Sequence, residues 1–249
     1  MIIKCTTKRS DTIMTDKQPQ YFGKDLEAMS FAQNYHKWIL EEIAPFVGKH
    51  LAEIGAGVGN FSDFLLGLNI ESLNAYEPSA NMYPYLEKKF TSNESVATHN
   101  CFFESVVDQF HNHFDSVIYI NVLEHIENDV ESLLEAQKTL KQDGHIIVFV
   151  PALPFLYSDL DKSVGHFRRY TESTLTDTAN KAGLEIESIK YFDIAGIIPW
   201  YIAFVLLKHT ATTGNVSLYD KLVIPIMKKV EQMITPPVGK NLLMIARKK

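Results

Sequence analysis

Apolar and polar residues are grouped along the chain in blocks that predict strands and helices in turn. Short runs rich in β-branched and aromatic residues predict seven strands, at 50–54, 72–76, 95–99, 114–120, 145–150, 184–192 and 241–247. Before and between these runs apolar residues recur at helical spacing, which predicts helices at 25–43, 61–68, 80–90, 128–140 and 171–182. Because strands alternating with helices form parallel sheets covered on both faces, the pattern predicts a doubly wound α/β fold.

The stretch after the first predicted strand is the most distinctive part of this pattern. Four residues alternate with others there, namely Glu53, Gly55, Gly57 and Gly59. Glycine is needed where the backbone turns with positive φ or where a ligand contacts the main chain, so the spacing predicts a ligand at the next helix N-terminus. The dinucleotide fingerprint G-x-G-x-x-G would need glycine at position 60, where the chain has Asn60. A glycine-rich turn that binds nothing is the structural alternative.

Composition bounds the class of protein. The 249 residues are 46% hydrophobic and 22% charged, which is typical of a soluble α/β domain with an appendage. A net charge of −6 argues against a nucleic-acid partner, which favours a basic surface. Cys5 and Cys101 are too few for a disulfide framework, and residues 1–17 contain no apolar signal-peptide core, so we expect a cytoplasmic protein. Residues 1–20 are expected to form a flexible tail.

A second acidic residue, Glu77, stands at the end of the second predicted strand. In nucleotide-binding folds, an acid at this place accepts hydrogen bonds from the ribose hydroxyls. The same position suits an acid that simply stabilises the N-terminus of the following helix. Glu77 therefore supports nucleoside binding but does not identify the cofactor, because NAD enzymes also have an acidic residue at the end of the second strand.

Together with three further segments, these motifs resemble a known family. The sequence Asn-Val-Leu-Glu-His-Ile follows the fourth strand at 121–126, with Phe-Asp-Ser-Val at 114–117 and Leu-Lys-Gln-Asp-Gly at 140–144. The order resembles class I S-adenosylmethionine-dependent methyltransferases of the type 11/12 group, over about 25–192 and 236–247. The resemblance implies a seven-stranded Rossmann-like sheet with an antiparallel last strand, a methyltransferase domain over 21–249, and S-adenosyl-L-methionine as cofactor. It implies cofactor contacts from Glu53, Gly55, Ala56, Gly57, Gly59, Glu77, Pro78, Cys101, Phe102 and Asn121.

The segment after the third strand departs from that family. Many members have Asp there, where it binds the adenine amine, whereas this chain has Asn100, Cys101 and Phe102. We therefore expect the adenine contact to differ, with Phe102 packed on the base.

A narrower resemblance lies after the fifth strand. The segment Gly-His-Phe-Arg-Arg-Tyr at 165–170 is similar to a Gly-His-x-Arg-Arg-Tyr signature of bacterial methyltransferases. This is where the family usually builds the acceptor site, and His, Arg and Tyr suit an anionic or hydroxyl-bearing acceptor. The candidate catalytic residues are His125, His166, Arg168, Arg169 and Tyr170, with either histidine as a base. In the structural alternative, the arginines pair with neighbouring acids and the tyrosine lies in the core.

These features predict an O-methyltransferase that acts on a small-molecule or glycolipid-like acceptor by in-line methyl transfer. A nicotinamide-dependent reductase and a non-catalytic S-adenosylmethionine-binding scaffold remain as alternatives. Tyr85 and Lys89 match the spacing of a dehydrogenase pair but follow the second strand, far from where a nicotinamide would lie. The His and Cys residues lack zinc-site spacing, so the sequence predicts no metal site.

An apolar segment at 194–207 precedes the last strand, within a predicted helical appendage at 193–235. The segment is too short to span a membrane and contains Pro199. Trp200 and Tyr201 favour a membrane interface, and residues 208–249 contain eight Lys or Arg and two Asp or Glu, a local charge of +6. The segment is predicted either to contact the inner membrane face through 194–229, or to form a lid or a dimer contact. The oligomeric state stays open.

Overall fold

The computed structural model describes residues 32–208 and 213–248, without the side chains of 213–216. The predicted tail at 1–20, the boundary of the domain at residue 21 and the first part of the helix predicted at 25–43 lie outside the described residues.

Within the described residues, seven strands form one sheet in the order β3-β2-β1-β4-β5-β7-β6. The strand β7 pairs antiparallel with β5 and β6, and the other pairings are parallel. The predicted fold class is therefore confirmed, including the antiparallel last strand. The strands are β1 His50–Ile54, β2 Ser72–Tyr76, β3 Val96–His99, β4 Phe114–Ile120, β5 Leu140–Pro151, β6 Leu184–Phe192 and β7 Asn241–Lys248.

Helices cover both faces of the sheet. Side chains along β4 alternate between two apolar clusters, with Val117 and Tyr119 in one and Ile118 in the other. This alternation is the period of two expected for a strand that is buried on both faces. The helices are α1 Gln33–Ile43, α2 Asn60–Leu66, α3 Tyr83–Phe90, α4 Asp129–Thr139, α5 Asp159–Ser163, α6 Glu172–Lys181, α7 Ile197–Trp200, α8 Thr213–Leu222 and α9 Ile224–Met233.

Two predicted boundaries are wrong by three residues or more. The helix predicted from residue 80 begins at Tyr83, with Pro84 in its first turn, where the missing N–H of proline costs no hydrogen bond. The strand predicted from residue 145 begins at Leu140, because an irregularity in the pairing with β4 accommodates the turn. Asp143 adopts a φ of 60° in that turn.

The predicted appendage between β6 and β7 is helical where it is described. It consists of α7, a π-helical turn at Tyr201–Leu206, and the helices α8 and α9. Among residues 32–208 and 213–248, no helix combines the length and the apolar character that crossing a bilayer requires.

Candidate active site

The glycine-rich loop lies at the carboxyl edge of the sheet. Gly55, Gly57 and Gly59 adopt φ angles of 66°, 58° and 81°. The strand β1 pairs with both β2 and β4, so that Ile54 lies beside Tyr76 and Tyr119. The segments after these three strands therefore meet at one edge, which is where open α/β sheets bind their ligands.

Glu77 is joined directly to the glycine-rich loop. Its carboxylate accepts a hydrogen bond from the Gly57 N–H at 2.8 Å and another from the Ser79 N–H at 2.8 Å. Burial raises the pKa of Glu77, and the two backbone hydrogen bonds oppose that shift. The Asn100 amide donates to the Glu77 carbonyl at 2.9 Å, which connects the end of β3 to the same place.

Glu53 lies beneath the loop rather than on its surface. It is 3% exposed, and the Ser62 hydroxyl donates to its carboxylate at 2.5 Å. Burial raises the pKa of Glu53 to about 7, while the Ser62 hydrogen bond lowers it. Because Ser62 is on α2, this pair fixes the strand relative to the helix that follows the loop.

The remaining predicted cofactor contacts lie around the same edge. Asn121 directly follows β4 and adopts a φ of 54°. Ala56 and Cys101 are buried, Pro78 is half-buried, and Phe102 is 46% exposed. The exposed ring of Phe102 is therefore available to a planar ligand, whereas Cys101 belongs to an apolar cluster.

A second cluster forms where the segment after β4 meets the loop after β5. The Phe167 N–H donates to the Glu124 carbonyl at 2.8 Å, which holds the two segments together. The rings of His125 and His166 are edge to face, with centroids 4.6 Å apart. The predicted pair of histidines is thus brought together by the fold.

Asp161 orients His166 and neutralises Arg169. The His166 ring bonds through Nδ1 to Asp161 Oδ1 at 2.8 Å, and Arg169 donates to both carboxylate oxygens at 2.9 and 3.2 Å. Burial raises the pKa of Asp161, but the contacts with His166 and Arg169 outweigh burial and bring it down to about 2. The Asp161 carboxylate therefore stays ionised. Because it binds Nδ1 of His166, the other ring nitrogen, Nε2, faces away from Asp161.

The nitrogen Nε2 of His166 lies 3.8 Å from Glu124 Oε1. Glu124 is fully buried, and neither of its carboxylate oxygens has a hydrogen-bond partner. Burial raises the pKa of Glu124 to about 7 and lowers that of His125 to about 4. Our sequence reasoning missed Glu124 as a site residue. The available signal was a glutamate in the apolar stretch 122–126, because a buried carboxylate needs a partner.

The other residues of the Gly-His-x-Arg-Arg-Tyr segment make structural contacts. Arg168 pairs with Asp129 at 2.9 Å and donates to the Glu127 carbonyl at 2.6 Å. The Tyr170 hydroxyl donates to Asp129 at 2.8 Å, and burial raises the pKa of this tyrosine. These contacts attach the loop to the start of α4.

The start of the appendage contacts this loop. Trp200 donates from its indole nitrogen to the Leu156 carbonyl at 3.1 Å, and the Arg169 guanidinium lies 4.6 Å from the indole ring centroid. Tyr201 packs edge to face on Phe155, with ring centroids 6.3 Å apart. These contacts are those expected of a lid over the loop after β5.

A methyltransferase-domain family model matches residues 29–189, which is more than half of the chain. The chain belongs to the methyltransferase family. It is accordingly an enzyme, and its cofactor is S-adenosylmethionine. No curated protein shows significant sequence similarity to the chain.

Solved methyltransferase structures share its fold. An S-adenosylmethionine-dependent methyltransferase from Archaeoglobus fulgidus is 18% identical, with a TM-score of 0.60, and the match covers 90% of this chain and 99% of that chain. A Leishmania major methyltransferase is 16% identical, with a TM-score of 0.57 and coverage of 93% and 78%. Geranyl diphosphate C-methyltransferase from Streptomyces coelicolor, solved with Mg²⁺, geranyl-S-thiolodiphosphate and S-adenosylhomocysteine, is 12% identical, with a TM-score of 0.60 and coverage of 88% and 76%.

The loop of this methyltransferase fits its cofactor. Three glycines at positive φ bring the main chain to the edge of the sheet, and a buried acid lies beside it at the end of β2. A methyl side chain at Gly55 would come within 2.6 Å of Val122 Cγ2, so the turn also needs glycine for packing. The individual cofactor contacts remain predictions.

Proposed function

We propose that this methyltransferase transfers the methyl group to a hydroxyl oxygen of a small-molecule or lipid-linked acceptor. The observation that carries the proposal is the cluster of Glu124, His125 and His166 at the junction of the two segments. Their candidate ligand atoms all lie within 4.8 Å of one another. Such a cluster can hold an oxygen atom and lower the cost of removing its proton.

The reaction is an in-line displacement, so the main task of the protein is to align acceptor and methyl group. Bound S-adenosylmethionine would supply the methyl group: the acceptor oxygen would bond to the methyl carbon as the carbon–sulfur bond breaks, and the electron pair of that bond would stay on the sulfur of S-adenosylhomocysteine. The proton of the hydroxyl passes to the cluster. On the cofactor side, Glu77 would hold the ribose hydroxyls, and the loop around Gly57 would line the rest of the site.

The contacts of the two arginines favour a hydroxyl over a carboxylate acceptor. A carboxylate would need a guanidinium free to clamp it, whereas Arg169 is bound to Asp161 and Arg168 to Asp129. We assign Arg168, Arg169 and Tyr170 the role of holding His166 in place.

We further propose that the acceptor is presented at an anionic membrane surface. Large apolar side chains are exposed along the appendage, and Lys221 and Lys229 are exposed beside them. Apolar side chains next to basic ones suit the headgroup region of an anionic bilayer. The most exposed of these side chains are Ile198, Ile202, Leu206, Leu207, Leu218, Leu222, Ile226, Met233 and Ile234.

The test uses S-adenosylmethionine labelled in its methyl group and extracts of the host. We expect the label in the small-molecule or lipid fraction. The labelled product should be stable to alkali, because a methyl ether is not hydrolysed under conditions that hydrolyse a methyl ester. Label found in protein or nucleic acid, or in an alkali-labile ester, would refute the proposal. A variant with Glu124→Gln should lose the labelled product and keep its affinity for S-adenosylhomocysteine.

A further inference from the structure

We infer that Glu124, His125 and His166 form a binding site for a divalent first-row transition-metal ion of the zinc type. The inference deepens the proposed function, since an ion there would hold the acceptor oxygen and make its proton easier to remove. The site itself follows from the geometry of the cluster, whichever acceptor the enzyme uses.

The donor set suits this class of ion. Two imidazoles and one carboxylate form the three-ligand set of many zinc sites that keep a position open for water or substrate. Mg²⁺ and Ca²⁺ prefer oxygen ligands, so the two nitrogens disfavour them. His166 Nε2 and Glu124 Oε1 are 3.8 Å apart, so a small movement of the side chains would place both around one ion.

Glu124 provides the independent evidence for a ligand. Its side chain is fully buried, and both carboxylate oxygens lack a hydrogen-bond partner. A buried carboxylate is costly unless it is paired or coordinates a metal. The guanidinium of Arg169 is already bound to Asp161, and His166 Nε2 lies 3.8 Å from Glu124 Oε1, beyond hydrogen-bond distance.

The surroundings of the histidines are those of metal ligands. Asp161 accepts a hydrogen bond from His166 Nδ1 at 2.8 Å, and a carboxylate in this position typically fixes a metal-bound imidazole through its second nitrogen. The His125 ring bonds to the backbone of Gly165. Both histidines are partly exposed while Glu124 is buried, so an ion could enter from the histidine side.

The experiment measures metal binding by the whole untagged protein after treatment with a chelator. Calorimetric titration with Zn²⁺ should give one equivalent of saturable binding, and Co²⁺ should develop the visible absorption bands of a bound ion. Mg²⁺ should not compete at similar concentration. Absence of saturable Zn²⁺ binding and of Co²⁺ bands in the wild type would overturn the inference.

Variants locate the bound ion. Mutation of a group that hydrogen-bonds to a metal-ligating histidine typically lowers metal affinity by roughly 10- to 100-fold. The variants Glu124→Gln and His166→Gln remove ligands themselves, so we expect them to lower the affinity for Zn²⁺ at least as much. His145→Gln is the matched control, because His145 pairs with Glu187 at 3.2 Å on another part of the sheet. Equal loss in the control, or unchanged binding in the cluster variants, would contradict the site.

Two readouts separate this inference from the proposed function. Affinity for S-adenosylhomocysteine and the thermal unfolding midpoint should be unchanged in His166→Gln, which shows that the variant is folded. Methyl transfer that persists in full after chelation would refute the metal site while leaving the proposed reaction intact. Loss of transfer on chelation and its return with Zn²⁺ would support both.

Discussion

At the residue scale, Glu77 and Gly57 are joined by one hydrogen bond, and we expect their replacement to weaken cofactor binding for two different physical reasons. Glu77→Ala removes the predicted ribose acceptor and frees two backbone amides. Gly57→Val places a β-branched side chain at a φ of 58°, where such residues are strained. We expect both variants to lose affinity for S-adenosylhomocysteine by more than about tenfold, equivalent to about 1.4 kcal/mol, in calorimetric titrations.

The control for these variants is Glu94→Ala, which removes an exposed carboxylate near β3. Circular dichroism should show that Glu77→Ala keeps the native secondary structure. Unchanged cofactor affinity in either Glu77→Ala or Gly57→Val would refute the placement of the cofactor on this loop.

His166 should matter for turnover rather than for cofactor binding. We expect His166→Ala to lower kcat by roughly 10²- to 10⁴-fold, because acceptor activation would be lost. Arg168→Ala should lower kcat by less, since it loosens the loop from α4 without removing a group of the cluster. Steady-state kinetics with the identified acceptor, and titration with S-adenosylhomocysteine, check both. A parallel fall in cofactor affinity and thermal stability would indicate a purely structural role.

At the element scale, the appendage completes the N-terminus of α1. Asp220 of α8 accepts hydrogen bonds from the backbone N–H groups of Asn34 and Tyr35 at 3.0 and 2.8 Å. A side chain distant in sequence thus does what an N-cap residue normally does. We expect Asp220→Ala to lower the free energy of unfolding by about 1–2 kcal/mol in urea titrations.

The matched control is Asp177→Ala, which removes an exposed aspartate from α6. It should change the free energy of unfolding by less than about 0.5 kcal/mol, as surface substitutions usually do. If Asp220→Ala were equally mild, the appendage would not stabilise α1.

The buried face of α1 should make the fold sensitive to acid. His36 is 6% exposed between Phe61 and Phe64, and burial lowers its pKa to about 4. Between pH 6.5 and pH 4 the unfolded chain binds a proton that the folded chain excludes, so stability falls as the pH falls through this window. The loss attributable to this group is on the order of 3 kcal/mol.

Replacing His36 with phenylalanine removes that linkage. We expect His36→Phe to lose less stability than the wild type when urea titrations at pH 7.5 and pH 4.5 are compared. His111→Gln, which replaces an exposed histidine, should behave as the wild type. An identical pH dependence in His36→Phe would contradict the assignment.

At the scale of the whole molecule, charge and apolar surface are unevenly distributed. Residues 208–249 have a formal charge of +6 in a chain whose net charge is −6. Lys228 pairs with Glu41, whereas Lys221 and Lys229 are exposed. We expect the protein to sediment with liposomes that contain anionic lipid, and binding to weaken with salt, because exposed charges are screened.

Charge reversal tests the same prediction. Lys221→Glu and Lys229→Glu together should reduce liposome binding, whereas Lys181→Glu on α6 should not. A protein that stays in the supernatant at every salt concentration would exclude membrane contact. The appendage would then act only as a lid.

The sequence by itself determined the layer architecture. Periods of two and 3.6 in apolar residues identify strands and helices, because burial on a face follows directly from backbone geometry. Four predicted strands, at 50–54, 72–76, 114–120 and 184–192, have the observed bounds. The glycine spacing also located the loop at positive φ, since that conformation selects glycine locally.

The tertiary structure alone decided which side chains meet. Glu124 and His166 come from segments after different strands, and no local pattern records that Asp161 orients the histidine or that Glu124 is left without a hydrogen bond. The capping of α1 by Asp220 is equally invisible in the sequence. Local periodicity reports how each segment is buried, whereas a site depends on contacts between distant segments, which exist only once the sheet order is set.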